Sequence, residues 1–298
     1  MIVIQGDNLS KSYGKILAVD DLTFQIEENK FIGLIGRNGA GKTTLLKLIA
    51  GFLKPSQGEI KVFSLNPFNS LQVSSNTIFI DNHMAFPEAF RLDDILSEVS
   101  RFYKHWDAKL AKRLFEYFSF NPKQGHASLS KGNQSTFNMI VGLAARCPLT
   151  IFDEPTGGMD SAVRKDFYRA LLKDYLEYPR TIILSSHLLS EVEDILEDIL
   201  LLRDGSKCLH QSVLELKEFA LGLKGPKQRV LELVEGKEIL YREEFGQRSL
   251  YVVIKNEGLS PQEILKKDDF ELLPVALDDL CIYLTGNTKG GIDHVFEQ

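Results

Sequence analysis

The stretch from Phe31 to Ala50, FIGLIGRNGAGKTTLLKLIA, constrains the fold of this chain more than any other. Four of the five residues before Gly36 are apolar (Phe31, Ile32, Leu34, Ile35), the composition of a short buried strand. Gly36 to Thr43 fits the pattern G-x-x-x-x-G-K-[ST], and Thr44 to Ala50 carries an apolar stripe at helical spacing. A chain this long meets the pattern by chance about 1% of the time, before the strand and the helix are required. Strand, glycine loop and helix together make an anion cradle. Backbone N–H groups of Gly36, Arg37, Asn38, Gly39, Ala40, Gly41, Lys42, Thr43 and Thr44 can turn on one phosphate chain, and the helix that starts near Lys42 adds the positive end of its dipole. Lys42 would reach the β- and γ-phosphates, and the Thr43 hydroxyl would ligate Mg²⁺.

The rest of the composition narrows the class. With 298 residues, 44% of them hydrophobic and 26% charged, the chain can build one large or two modest globular domains. A net charge of −6 argues against nucleic acid as the main partner, because phosphate backbones are bound by basic patches. Cys147, Cys208 and Cys281 are odd in number and far apart, which fits a reducing cytoplasm and neither a disulfide framework nor a zinc site. The N-terminal MIVIQGDNLSKSYG does not read as a signal peptide, and no window approaches 18 consecutive apolar residues.

Residues 2–28 alternate as antiparallel strands around a turn at Ser12-Tyr13-Gly14-Lys15, where the Tyr13 ring could stack on a base. Strands are expected at 59–63 and 77–80, and two helices within 91–118 whose aromatic residues are mostly core. A helix is expected from about Ser135 to Ala145, with Ser130 as an N-cap. Leu149 to Phe152 reads as a buried strand that ends in Asp153 and Glu154. A parallel strand delivers its functional residues at its C-terminal end, where the phosphate loop also lies. Asp153 could hold Mg²⁺ through water, and Glu154 could orient and deprotonate an attacking water. Gly157-Gly158-Met159-Asp160 forms a turn before a helix at 161–175. A further strand, Arg180 to Leu184, leads to His187 and a short helix at 188–195. A linker is expected at 221–226. Beyond it, strands at 230–234, 239–242 and 250–254 and helices at 261–267 and 277–285 suggest a small α+β accessory domain.

The order of these elements resembles the ATP-binding cassette (ABC) ATPases over about residues 2–210. GRNGAGKTT (36–44) is similar to their Walker A motif, and Tyr13 matches the aromatic that stacks adenine. LSKGN (129–133) resembles the family signature, TIFDEP (150–155) resembles Walker B with the catalytic glutamate, GGMD (157–160) resembles the D-loop, and His187 the switch histidine. The resemblance implies an α/β fold: a RecA-like P-loop core with an antiparallel β-subdomain, a helical subdomain at about 83–146, and a small α+β C-terminal domain at 227–298 after an ATPase domain at 1–220. It implies ATP and Mg²⁺ as ligands, with Lys42, Glu154 and His187 in catalysis. It further implies two cassettes that close head to tail, so that Ser130 and Gly132 of one touch the γ-phosphate held by Lys42 of the other, with Asp160 communicating across the dimer. Two departures stand out. The glutamine usual after the strand at 77–80 is replaced by Asn82, or by Asp81, so the reach to Mg²⁺ is one methylene shorter. In the signature, Lys131 and Asn133 replace a glycine and a glutamine.

The expected activity is ATP hydrolysis that energises a membrane permease, with a second ABC ATPase subunit as partner and the cytoplasmic face of the membrane as location. The ending LPVALDDLCIYLTG (273–286) resembles ATPase subunits of prokaryotic drug- or antibiotic-type exporters whose permease is a separate chain. Phe86 and Phe90 are the candidate permease contacts. The competing readings are a soluble cassette acting on nucleic acid or ribosomes, whose relatives usually carry two cassettes in one chain, and a weakly hydrolysing nucleotide sensor.

Overall fold

The computed structural model describes residues 1–187, 189–246, 248–256 and 270–286. The chain divides into two compact units, Met1–His210 and Gln211–Gln298.

The first unit opens with two long strands, β1 (Ile2–Tyr13) and β2 (Ile16–Glu27), which pair antiparallel across the turn at Gly14-Lys15. Val19, Leu22, Phe24 and Ile26 of β2 are buried, so the strand is held by one apolar face. The next strand, β3 (Phe31–Ile35), is buried at every residue and leads through the glycine loop into α1 (Lys42–Ile49). Then β4 (Gln57–Val62) returns to β1 and completes a three-stranded antiparallel sheet, order β2-β1-β4.

After α2 (Leu71–Ser74) and β5 (Thr77–Asp81) come α3 (Leu92–Ser100) and α4 (Ala108–Tyr117), the two helices expected within 91–118. Helix α5 (Lys131–Ala145) begins at its Ser130 cap, four residues earlier than its apolar pattern suggests, and is buried from Ser135 onward. Phe137 of α5 is the hub of an aromatic cluster with Phe86, Phe115, Phe120 and His126. Strand β6 (Leu149–Asp153), helix α6 (Ser161–Glu177) and strand β7 (Thr181–Ser186) follow. The segment expected as a helix at 188–195 is instead two 3-10 turns, Leu189–Glu191 and Glu193–Ile195. Leu189, Val192 and Leu196 are buried, and their spacing of three and four is met by two tight turns as well as by an α-helix. Strands β8 (Asp198–Arg203) and β9 (Ser206–Ser212) form a hairpin through Asp204-Gly205, both with positive φ (51° and 84°), as a primed two-residue turn requires.

These strands make a six-stranded sheet, order β5-β6-β7-β3-β8-β9. Its first five members run parallel, and β3, β6 and β7 have no exposed residue, as expected of strands covered on both faces. The register aligns the C-terminal ends: Asp81 beside Asp153, Asp153 beside Ser185, and Ile35 beside Ser186. Four chain segments that are distant in sequence are therefore delivered to one edge.

The second unit contains α7 (Val213–Glu218), β10 (Ala220–Pro226), α8 (Lys227–Leu233), β11 (Ile239–Phe245), β12 (Ser249–Lys255), β13 (Glu271–Leu273) and α9 (Leu277–Thr285). Its antiparallel sheet has the order β11-β12-β10-β13. Two expectations are corrected here. The linker expected at 221–226 is β10, an inner strand whose alternate residues Leu221 and Leu223 join the core despite its two glycines. The strand expected at 230–234 is α8: Val230, Leu233 and Val234 pack on Leu250, Val252 and Ile254 at helical spacing. The helix expected at 261–267 lies outside the described residues.

Candidate functional site

Walker-type loops are built by close backbone packing. At Gly41, with φ +96°, a Cβ would sit 2.2 Å from the Ala18 carbonyl oxygen, so neither the conformation nor the space admits a side chain. The loop is thereby pressed against β2. It opens onto a cleft of about 370 Å³ lined by Tyr13, Ala18, Asn38, Gly39, Ala40, Gly41, Lys42, Thr43, Thr44 and Glu154. Tyr13, at the end of β1, is 47% exposed, and the Lys11 ammonium lies over its ring, 5.5 Å from the centroid.

Lys42 is buried, and its ammonium donates to the Gly36 carbonyl at 2.7 Å, while Glu154 Oε1 lies 3.5 Å away. The other carboxylate oxygen of Glu154 is 2.6 Å from His187 Nδ1. Oε1 is buried and accepts no hydrogen bond among the described residues. A buried carboxylate oxygen in that condition calls for a donor such as water. Asp153 is 5% exposed, and its Oδ1 accepts the Ser185 hydroxyl at 2.6 Å. A carboxylate has about four lone-pair positions, so capacity for a metal-bound water remains. Together with the exposed Thr43 hydroxyl this suits Mg²⁺, which keeps several waters and takes few protein ligands.

Asn82 binds the backbone of Glu154. Its Nδ2 donates to the Glu154 carbonyl at 2.7 Å, its Oδ1 lies 3.3 Å from Ser135 Oγ, and it is not among the cleft-lining residues. Asp81, the alternative for that position, accepts from the His83 N–H at 3.0 Å. Ser130, Gly132 and Asp160 do not line the cleft either. Ser130 caps α5, its hydroxyl accepting from Asn133 N, and Asp160 caps α6, accepting from Ala162 N and Val163 N. Ser130 and Lys131 are exposed. One chain therefore gathers Tyr13, the phosphate loop, Asp153, Glu154 and His187, and carries the signature residues elsewhere.

Two residues need revision. Ser185, which joins Asp153 to the backbone of Glu154, was not singled out from the sequence; the signal available was a polar residue at the end of a buried strand. Phe86, expected as a permease contact, packs edge-on against His126 and Phe137, whereas Phe90 is 36% exposed. The Phe86 ring is drawn in because the aromatic cluster around Phe137 offers it apolar neighbours.

The ABC transporter family profile matches residues 19–157. The energy-coupling factor transporter ATP-binding protein EcfA2 of Clostridioides difficile is 30% identical over 273 residues, covering 81% of this chain and 92% of that protein. The bacitracin transport ATP-binding protein BcrA of Bacillus licheniformis is 26% identical over 223 residues, covering 68% and 67%. Among solved structures, a dimeric ATP-binding cassette in a post-hydrolysis state with ADP and Pi superposes with a TM-score of 0.61 at 21% identity, covering 70% of this chain and 98% of that one. The chain belongs to the ATP-binding proteins of ABC transporters and is an ATPase of that class.

Proposed function

We propose that this chain is the energising subunit of an exporter whose permease is a separate polypeptide, and that it works as one half of a head-to-tail cassette dimer on the cytoplasmic face of the membrane. The observation that carries this reading is the division of the site. The cleft holds the phosphate loop, Lys42 and Glu154, while Ser130 and Gly132 lie off it at the exposed start of α5. A γ-phosphate held by Lys42 would meet a signature motif only if a second subunit supplied it.

Tyr13 stacks the base, and residues 36–44 wrap the phosphates. On ATP binding Lys42 exchanges its Gly36 carbonyl for phosphate oxygens. Thr43 and Asp153 would hold Mg²⁺, which neutralises charge between the β- and γ-phosphates. Glu154 takes the proton of the attacking water, and His187 holds the Glu154 carboxylate and contacts the γ-phosphate. Asp160 sits at the turn facing the second subunit. Closure on ATP and opening after hydrolysis would drive the permease.

No helix among the described residues is long and apolar enough to cross a membrane. A groove of about 320 Å³ between α2, α3 and the segment after Asn82 exposes Leu71 (88%) and Phe102 (74%) and suits an apolar element of the permease. The similarity to a bacitracin transport protein supports the antibiotic-type exporter assignment.

The test is a Glu154→Gln variant. It should lose turnover, retain ATP binding and elute as an ATP-dependent dimer; a monomer at saturating ATP would overturn the head-to-tail reading. Co-purification with an integral membrane protein, against recovery with ribosomes, separates the transporter from the nucleic-acid reading.

A further inference from the structure

We propose that Ser185 and Asn82 form a two-point clamp that positions Glu154, with Asn82 acting on the backbone of residue 154 and not as a ligand of Mg²⁺. The proposal rests on the reading of Glu154 as the general base.

Glu154 has φ +48°, in the left-handed region that a side-chain-bearing residue enters only when its surroundings impose it. Both backbone polar groups of this residue are held by side chains. Its N–H donates to Ser185 Oγ at 2.9 Å, and its carbonyl accepts from Asn82 Nδ2 at 2.7 Å and, at the longer distance of 3.4 Å, from the Gly157 N–H. Ser185 is fully buried at the end of β7, and its hydroxyl proton goes to Asp153 Oδ1 at 2.6 Å. One hydroxyl thus fixes Asp153 and Glu154 relative to each other. Chemistry dictates the arrangement: the oxygen has a single proton, which goes to the carboxylate, and free lone pairs, which take the N–H.

Asn82 completes the clamp from the loop after β5. Its amide fits because residue 157 is glycine: a Cβ there would stand 2.6 Å from Asn82 Nδ2. Ser135 Oγ, which donates to the Gly157 carbonyl at 2.8 Å, lies on the other side of the same amide. The amide thus lies between the turn at 157 and helix α5, with one of its two N–H donors given to the Glu154 carbonyl. Held in this way, the Glu154 side chain lies between Lys42 and His187. If the clamp is released, the backbone can return to a right-handed or extended conformation and carry the carboxylate off by an ångström or more.

The experiment measures ATP Kd, KM and kcat on the full-length chain. Misplacement by about 1 Å costs about 100-fold in rate, so Ser185→Ala should lower kcat by about that factor with ATP Kd within about threefold. Ser185→Thr, which keeps the hydroxyl, should restore most of it. Asn82→Ala, Asn82→Asp and Gly157→Ala should lower kcat alike, because each removes or displaces the donor to the Glu154 carbonyl, and should leave the Mg²⁺ concentration for half-maximal activity unchanged. If Ser185→Ala fails to fold, Ser185→Cys retains the packing with a weak hydrogen-bond partner and should show the same loss. Values of kcat within twofold of the unsubstituted chain for these variants would overturn the clamp, and a raised Mg²⁺ requirement in Asn82→Ala would overturn its Asn82 half. A Glu154→Gln variant run in parallel separates the two levels. If it turns over normally, the hydrolysis reading itself fails; if it is inactive while the clamp variants are active, only the clamp fails.

Discussion

The two ends of the parallel sheet carry similar numbers of charged side chains and use them in opposite ways. At the C-terminal end, Lys42 and Glu154 border an open cleft, with His187 hydrogen-bonded to Glu154 and Asp153 joined to the Glu154 backbone through Ser185. Lys42 is held in part by a backbone carbonyl that a ligand can replace, and one Glu154 oxygen accepts no hydrogen bond among the described residues. At the N-terminal end, Arg146, Asp174, Arg180 and Asp107 pair with one another. Asp174 takes Arg146 at 2.7 Å and Arg180 at 2.8 Å, Asp107 takes Arg146 at 2.9 Å, and the Arg146 guanidinium lies 3.4 Å from the centroid of the Tyr178 ring. Burial pulls the Arg180 guanidinium down and Asp174 only partly offsets it; for Arg146 burial is outweighed by Asp174 and Asp107. Burial likewise pushes the neighbouring Cys147 thiol up to about 12, which makes it a packing residue and not a nucleophile. The larger cavity, about 780 Å³, lies at this end, lined in part by Arg146, Tyr178 and Arg180. Cavity size therefore does not mark the end we propose as reactive. What marks it is charge whose partners are incomplete or replaceable.

The contrast can be broken by substitution, and the effects should separate by end. Glu154→Gln should lower kcat by about 10²–10⁴-fold, the usual contribution of a general base, with thermal stability nearly unchanged; steady-state turnover and a melting curve check both halves. Asp174→Ala should do the reverse. It leaves the buried Arg180 without its carboxylate and Arg146 with Asp107 alone, costs about 3–5 kcal/mol of stability and lowers the melting temperature of the first unit by about 10 °C, while the KM for ATP of the folded protein stays the same. A comparable loss of stability in both variants would erase the distinction. Lys42→Ala should weaken ATP binding by about 1.5–3 kcal/mol, the worth of a charged hydrogen bond, read by calorimetry. Tyr13→Ala should cost about 1 kcal/mol of nucleotide affinity through lost stacking, and Tyr13→Phe should cost nothing measurable.

The smallest effect concerns pH and lies at neither end. Burial holds the His126 imidazole below its ordinary value of 6.5, against the opposing hydrogen bonds of Asn138 and Gln134. The folded state therefore prefers the neutral ring. That contribution to stability is present above pH 6.5 and is lost as pH falls from there through the lower folded-state value. The gap in melting temperature between the unsubstituted chain and His126→Gln should narrow as pH is lowered through that window, and a constant gap would show that His126 does not titrate there.

Legibility in the sequence follows the range of the interaction. The strand, loop and helix around Gly36 to Thr43 were readable because strand burial, glycine geometry and helix onset are all local. So were Ser130 as a cap and the carboxylates at the end of β6, since both depend on a few adjacent residues. Strand β10 was misread as a linker because its glycines and proline suggest a break, while its place between β12 and β13 is a long-range matter. Helix α8 was misread because a run of Val and Leu suits either period until the partner surface is known. The Arg146–Asp174–Arg180 cluster went unseen: its members are 28 and 6 residues apart, a separation no motif connects.

For the site, residue types and their order in the chain were enough to specify a phosphate loop, a lysine, two carboxylates and a histidine, because each must occupy a particular place on a strand–loop–helix unit. Which of them meet was settled by sheet register. Setting Asp153 beside Ser185 and Ile35 beside Ser186 brought segments that are well separated in the chain side by side, and Ser185 into hydrogen-bonding range of Asp153. The same register turned Ser185 from a strand residue into the joint between Asp153 and Glu154, and put Asn82 against the Glu154 carbonyl. A hydrogen bond depends on distances of a few tenths of an ångström, and those arise only when separate segments pack.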